Sequence, residues 1–321
     1  MEAKNNLPGR LQTMRIARVL RTYGIILVIL SIVIIGSIIS PYFLQVGNLM
    51  NISKQAAMLG FLALGMTLVI ASGGIDLSVG SAVALSNILV VGISLTMPTI
   101  LGAYIALFSG VVVGLISGFL INRLGFQPFI ATLSTMVLAR GVGMIYSGSQ
   151  SISGTLPEEF HLLFEADVVG VPFPTILFLA AMFLIALFVR YSRLGREIYH
   201  VGGNEEAARS SGVNVIRVKY VVYAISGLLA AFAGLLLSAR MHAGDPVKSG
   251  VGWELDAIAA VVIGGASLKG GIGNVFFTTG GVLITAFLYN IFNLLSVNTY
   301  WQRVIIGVVI CISVWSQKGK K

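Results

Sequence analysis

Asp76 stands in Gly73-Gly74-Ile75-Asp76-Leu77-Ser78, with long apolar runs on both sides. A carboxylate at mid-helix depth in a bilayer costs about 2.5–3.5 kcal/mol on insertion scales, so such a residue faces protein or water. Two chemistries are open to it. It can cap the helix that follows, its carboxylate accepting the backbone N–H of Ser78 or Val79, or it can hold a substrate or an ion. The cap is the favoured reading, which assigns Gly73, Gly74, Asp76 and Ser78 to a structural turn, together with Gly264 and Gly265 of a related stretch. Glu254 and Asp256 open a later apolar run and suit the positive end of a helix at the outer interface.

A second polar set is neutral. Asn87, Gln127, Asn290 and Asn293 lie within or beside apolar runs, with Tyr289 and Trp301 near the last two in sequence. Amides and aromatics suit an uncharged polyhydroxylated solute, whose hydroxyls need donors and acceptors and whose ring face can stack. Asn87, Gln127, Tyr289, Asn290 and Asn293 are therefore candidates for a translocation path. The competing reading is interhelical hydrogen bonding, at about 0.6 kcal/mol per bond in measured cases.

Other chemistries lack their residues. The sequence has no G-x-x-x-x-G-K-[ST] phosphate loop, no H-E-x-x-H and no G-x-S-x-G. His161, His200 and His242 are too far apart in sequence to give a metal-ligand spacing. No catalytic residue, metal ligand or bound cofactor is expected, and the chain is not expected to be an enzyme. Apart from Asp76 no acid lies mid-span, which weakens an ion- or proton-coupled secondary carrier for a small polar solute but keeps it as the alternative.

The elements that must position these residues are membrane helices. With 56% hydrophobic and 10% charged residues, the chain reads as an all-α polytopic membrane protein. Its net charge of +9 sits in loops of one side, which the positive-inside rule explains without nucleic acid. The single cysteine, Cys311, excludes an internal disulfide. Ten spans are expected, near 23–40, 52–72, 76–96, 99–121, 127–147, 172–190, 218–239, 254–268, 274–295 and 300–316. The expected organisation is a basic cytoplasmic segment at 1–22, one transmembrane domain at 23–317 and a cytoplasmic tail at 318–321. Arg10, Arg15, Arg18 and Arg21 precede a run too long for a cleavable signal, so both termini are placed in the cytoplasm of a cell whose inner membrane holds the chain.

Between the sixth and seventh spans lies a polar stretch, 191–217, that carries the chain's clearest helix punctuation. Asn204 follows Gly202 and Gly203 and suits an N-cap, Glu205 and Glu206 complement the helix dipole, and Gly212 suits the left-handed position after Arg209. The helix between these signals, with Ala207 and Ala208 at its centre, is shorter than the roughly 12–15 residues that persist alone in water. It needs a surface to dock on, in its own subunit or in a partner.

Glycines fall in rows, Gly110-Gly114-Gly118 in the fourth span, and Ser226-Ala230-Gly234-Ser238 makes a row of small residues in the seventh. Such rows let helix backbones approach closely. GGIDLSVG at 73–80 and GGASLKGG at 264–271 match at four of eight positions, which points to an internal repeat with broken or re-entrant segments.

GGIDLSVGS at 73–81, FIATLSTMVLARG at 129–141, LGREIYHVGGNEEAARSSGVN at 194–214 and ELDAIAAVVIGGASLKGGIG at 254–273 resemble, in order and through nearly the whole chain, the permease subunits of bacterial ABC importers for monosaccharides, those for ribose above all. The resemblance implies about ten transmembrane helices and a dimer with a second permease copy or a paralogue. It implies a cytoplasmic ABC ATPase that binds ATP and Mg, and a periplasmic or lipid-anchored sugar-binding protein. It makes Gly202, Gly203, Asn204, Glu205, Glu206, Ala207, Ala208, Arg209 and Gly212 the ATPase-coupling segment. AGDPVKSGVGWE and LYNIFNLLSVNTYWQ depart from the ribose pattern, so the sugar, pentose or hexose, stays open.

Overall fold

The computed structural model describes residues 24–154 and 156–318; the segment 1–22 and the tail residues 319–321 lie outside it. One helix overlaps each of the ten expected spans, with α2 beginning six residues before its expected start: α1 (Gly24–Ile39), α2 (Val46–Ala71), α3 (Val79–Ile93), α4 (Thr99–Asn122), α5 (Pro128–Ser147), α7 (Phe173–Tyr191), α10 (Val215–Met241), α11 (Trp253–Ile263), α12 (Val275–Leu294) and α13 (Thr299–Lys318). Between them, α6 (Glu158–Glu165) follows the fifth span and the polar stretch folds into α8 (Arg193–Gly203) and α9 (Glu205–Ser210). Among the described residues six helices, α2, α4, α5, α7, α10 and α12, are long and apolar enough to cross a membrane, and α1 and α3 are shorter apolar helices.

The core forms around α10, which packs on α2, α3 and α4. Small residues make this approach close. A Cβ on Gly114 of α4 would lie 2.0 Å from the Tyr223 carbonyl oxygen, and one on Gly227 of α10 2.0 Å from the Gly110 oxygen. The backbones themselves are in contact, which any larger side chain would prevent. On the other face of α10, Ser226 lies against Gly65 of α2 and Gly234 against Val83 and Ser86 of α3. Of its apolar window, α2 buries 83% but α7 only 11%, so α2 is a central helix and α7 turns a broad apolar face outward. That face requires lipid or another chain.

Two helix ends share one cap. After α2, Gly73 at φ +82° donates its N–H to Ile70 O and Gly74 donates to Val69 O; after α11, Gly265 at φ +86° donates to Val262 O and Ala266 to Val261 O. Both are Schellman ends, with the left-handed residue one beyond the C-cap. The correspondence pairs Gly73 with Gly265, one residue out of step with the 73–80 and 264–271 match made on sequence. The eighth span is also shorter than 254–268, because the helix stops at Ile263 and the chain turns at Gly264 and Gly265.

Candidate functional site

The polar stretch builds its site from two helices where one was expected. In α8 the Ser192 hydroxyl accepts the Gly195 N–H at 2.8 Å, capping the first turn, while Ile198 and Val201 are buried. At Asn204 the backbone becomes extended, φ −161° and ψ 104°, and a new helix starts. The Asn204 side chain accepts the Ala207 N–H at 2.9 Å. At the far end Gly212 sits at φ +80°, and Val213 and Gly212 donate to Ala208 O and Arg209 O, a third Schellman end. Ala208 is buried among residues such as Val215 and Val218 of its own subunit, so its small size serves this chain. Asn204, Glu206, Ala207, Ser210 and Ser211 are exposed.

Charge fastens α9 to the bundle. Glu205 accepts from Arg209 at 3.1 Å and from Lys219 of α10 at 2.7 Å. Partial burial of the Glu205 carboxyl opposes ionisation, but Lys219 and then Arg209 outweigh it and hold its pKa below the ordinary glutamate value. A depressed folded pKa gives an anchoring contribution that is present above the ordinary value and is lost as pH falls through the depressed one. Amide hydrogen exchange of 205–211, corrected for intrinsic rates, is therefore expected to speed up in acid for the parent chain. Glu205→Gln should remove that pH dependence; an unchanged acid profile in the variant would show that the anchor is not this carboxylate.

At the end of α8 three glycine-rich segments meet. The Gly271 N–H donates to Ala71 O, the last residue of α2, at 3.0 Å, and Gly202 lies against both. A Cβ on Gly202 would be 1.8 Å from that oxygen, and one on Gly270 would be 2.4 Å from Gly202 O and 2.9 Å from Gly73 Cα. The Tyr199 hydroxyl donates to Gly273 O at 3.0 Å, locking α8 to the same segment. The two Gly-Gly turns thus contact one another through backbone, with α8 as the third member.

Asp76 lies in the first of these turns, fully buried. One carboxylate oxygen accepts the Ser78 N–H at 2.9 Å and the Ser78 hydroxyl, and the other accepts the Ser226 hydroxyl of α10 at 2.8 Å. Its neighbour Gly74 packs under the Tyr223 hydroxyl, which donates to Ile75 O at 3.3 Å. Gly264 packs on the backbone of Phe277 and Thr278 in α12, while Gly265 faces open space.

The five path candidates are not brought together. Asn87 is buried and saturated: its amide donates to Ser238 and Ala243 O, and its oxygen accepts from the Asp245 N–H and Ser249. That uses the two donors and two lone pairs an asparagine has, leaving nothing for a solute. Asn290 exchanges a reciprocal amide pair with Asn48 at 2.7 and 3.0 Å, and Asn293 accepts from Gln302 at 3.1 Å. Gln127 is the exposed N-cap residue of α5, at the end of the bundle where Asn122 meets Ile216 beside α8 and α9. Tyr289 alone reaches an acid, donating to Asp256 at 2.7 Å at the opposite end of the bundle. The sequence places Asp256 only at a helix end; its partnership with Tyr289 spans 33 positions and carries no local signal.

Residues 48–314 match the family described as branched-chain amino acid transport system / permease component. The chain is 41% identical over 304 residues to a ribose import permease protein of Bacillus subtilis, covering 94% of each chain. It is 42% identical to the ribose import permease protein of Escherichia coli strain K12, over 92% of this chain and 93% of that one. It is 37% identical to the L-arabinose transport system permease protein of the same organism, over 95% and 94% respectively. No solved structure matches the chain. A glycine-keyed helical bundle, matched by that family over most of its length and by sugar permeases over nine-tenths of it, belongs to the permease component family of these transport systems.

Proposed function

We infer that this chain is the non-catalytic transmembrane permease subunit of an ATP-driven importer that moves a monosaccharide across a bacterial inner membrane. The observation that carries the reading is identity of 41–42% to ribose import permeases along more than nine-tenths of the chain. The arginine-rich stretch at one end of the bundle is the cytoplasmic face, ten segments cross the bilayer, the eighth by α11 together with the glycine-rich turn after it, and both termini lie inside. A separate ATPase binds ATP and Mg, a sugar-binding protein delivers substrate from outside, and a second permease copy or paralogue completes the complex. ATP-driven closure of the ATPases draws the coupling segments together and opens the pore outward. The ion-coupled carrier has little support, because both oxygens of Asp76, the acid that would carry the ion, are engaged by Ser78 and Ser226.

Reconstitution with the ATPase and the sugar-binding protein tests the reading: ATP-dependent D-ribose uptake is expected, and uptake without ATP would overturn it. The coupling segment adds a sharper test. Ala207 is exposed and Gly212 needs a positive φ that a β-branched residue reaches only with strain. Ala207→Arg and Gly212→Val are expected to insert normally yet loosen ATPase binding or uncouple sugar from hydrolysis. If α9 instead rests on anionic lipid, the added arginine would be harmless. Normal coupled transport in both variants would remove α9 from the force path.

A further inference from the structure

Opposite the glycine junction, a half-open cavity of about 110 Å³ lies between α2, α10, α11 and α12. Gln55 on its rim is sixteen residues before Ala71, about 24 Å along α2 from the contact with Gly202. Met58 and Ala286 form a buried floor. Gln55, Arg240, Trp253, Asp256 and Tyr289 supply the polar and aromatic wall.

We propose that this cavity binds the transported sugar during passage, with Asp256, Tyr289 and Gln55 taking hydroxyls and Trp253 taking the carbon face of the ring. The proposal rests on the importer reading above. Its chemistry comes from what the wall leaves unsatisfied. Tyr289 occupies Asp256 Oδ1, and Oδ2 has no hydrogen-bond partner among the described residues. The phenolic oxygen of Tyr289 keeps acceptor capacity. The Gln55 amide makes no hydrogen bond among the described residues, so it offers both donor and acceptor. Arg240 lies over the Phe164 ring at 5.7 Å and forms no ion pair with Asp256. Glu254 and Arg303 act on Asp256 as well, so charges of both signs surround the cavity, which opposes a solute of single charge and suits a neutral polyol.

The volume fixes how much of the sugar is held. About 110 Å³ is roughly the space of four liquid waters, well below the ~300 Å³ at which full ligand pockets begin. The cavity therefore grips one face of the ring and leaves the other to the open side, as a site of passage requires. A wider depression of about 560 Å³ at the α12–α13 turn is lined by Asn293, Asn298, Tyr300 and Arg303, and its one buried lining residue, Gln302, already donates to Asn293 and to Val297 O.

The test uses the full complex in proteoliposomes, with D-ribose, L-arabinose, D-allose and L-leucine as probes. Because the sugar-binding protein is the same throughout, changes in the ratios of uptake at saturating sugar report on the permease. Asp256→Asn and Gln55→Ala are each expected to change one sugar-to-sugar ratio about tenfold, the effect of one lost hydrogen bond to a charged or well-placed group. Gln55 is exposed, so its variant stays informative even if Asp256→Asn folds poorly. Parent ratios in both variants, per folded complex, would overturn the site and leave the importer reading standing. A parent complex that carries L-leucine and no sugar would overturn both, since Arg240 and Asp256 would then face the two charges of an amino acid.

Discussion

Gly202→Ala is expected to abolish ATP-coupled uptake and to lower the membrane level, while Gly203→Ala, one residue on, leaves the junction and the membrane level intact. The two sites share a helix and a residue type, and they differ in what a single methyl would meet. At Gly202 it would enter the Gly271–Ala71 hydrogen bond, 1.8 Å from the acceptor and 2.7 Å from the donor nitrogen. Backbone on both sides cannot rotate away, so α8 must lift or the bond must open. Overpacking of this kind costs about 1–3 kcal/mol, and leaving the buried N–H and C=O unpaired adds about 1–3 kcal/mol. At Gly203 the methyl meets nothing within 4 Å, and alanine in a helix is favoured by up to about 1 kcal/mol over glycine. The measurements are membrane level, ATPase co-purification and uptake for each variant. Transport by Gly202→Ala at the parent rate would mean that the junction is no rigid coupling between α8 and the two turns.

The junction explains how much of the molecule could be read in advance. Helices were legible because apolar runs are long and breakers sit between them, and the ends of α4 and α5 fall within a residue of expectation. The stretch that forms α8 is polar in composition and offers no apolar run. Its signal was periodic instead, with Leu194, Ile198 and Val201 spaced to share one face. The saturated state of Asn87 had no such signal, since its side-chain partners Ser238 and Ser249 are 151 and 162 positions away. A polar residue in a membrane span looks the same in sequence whether it is satisfied by protein or waiting for a solute. The same ambiguity covers Asp256, whose place in the sequence suits a dipole-compensating acid and whose partner Tyr289 lies 33 positions away. The internal match is visible in the sequence one residue out of register, because positive φ and not residue identity decides which glycine ends the helix.

Asp76 offers the second large effect, and the direction depends on the replacement. The carboxylate accepts three hydrogen bonds in a fully buried turn, two from Ser78 and one from Ser226. Asparagine keeps an oxygen for the Ser78 pair, and its NH₂ can donate to the Ser226 oxygen if that hydroxyl turns its own hydrogen to a carbonyl one turn back. Asp76→Asn is therefore expected to fold and to transport at a large fraction of the parent rate. Leucine accepts nothing. It strands the Ser78 N–H and two hydroxyls in a fully buried site, at about 1–3 kcal/mol each, and it adds branched bulk where Gly74 already packs under the Tyr223 hydroxyl. The sum approaches the few kcal/mol by which a domain is stable, so Asp76→Leu should sharply lower the amount of folded permease in the membrane. Ser226→Ala separates the contact between helices from the turn itself: it removes one bond, leaves the Ser78 pair intact and should cost less than Asp76→Leu. Fluorescence-detected size exclusion gives the folded fraction of each variant, and uptake per folded complex gives function. A well-folded Asp76→Asn protein that carries no sugar would show that the acid acts on solute or proton directly, and that the turn was built to hold a charge and not merely to end one helix and begin the next.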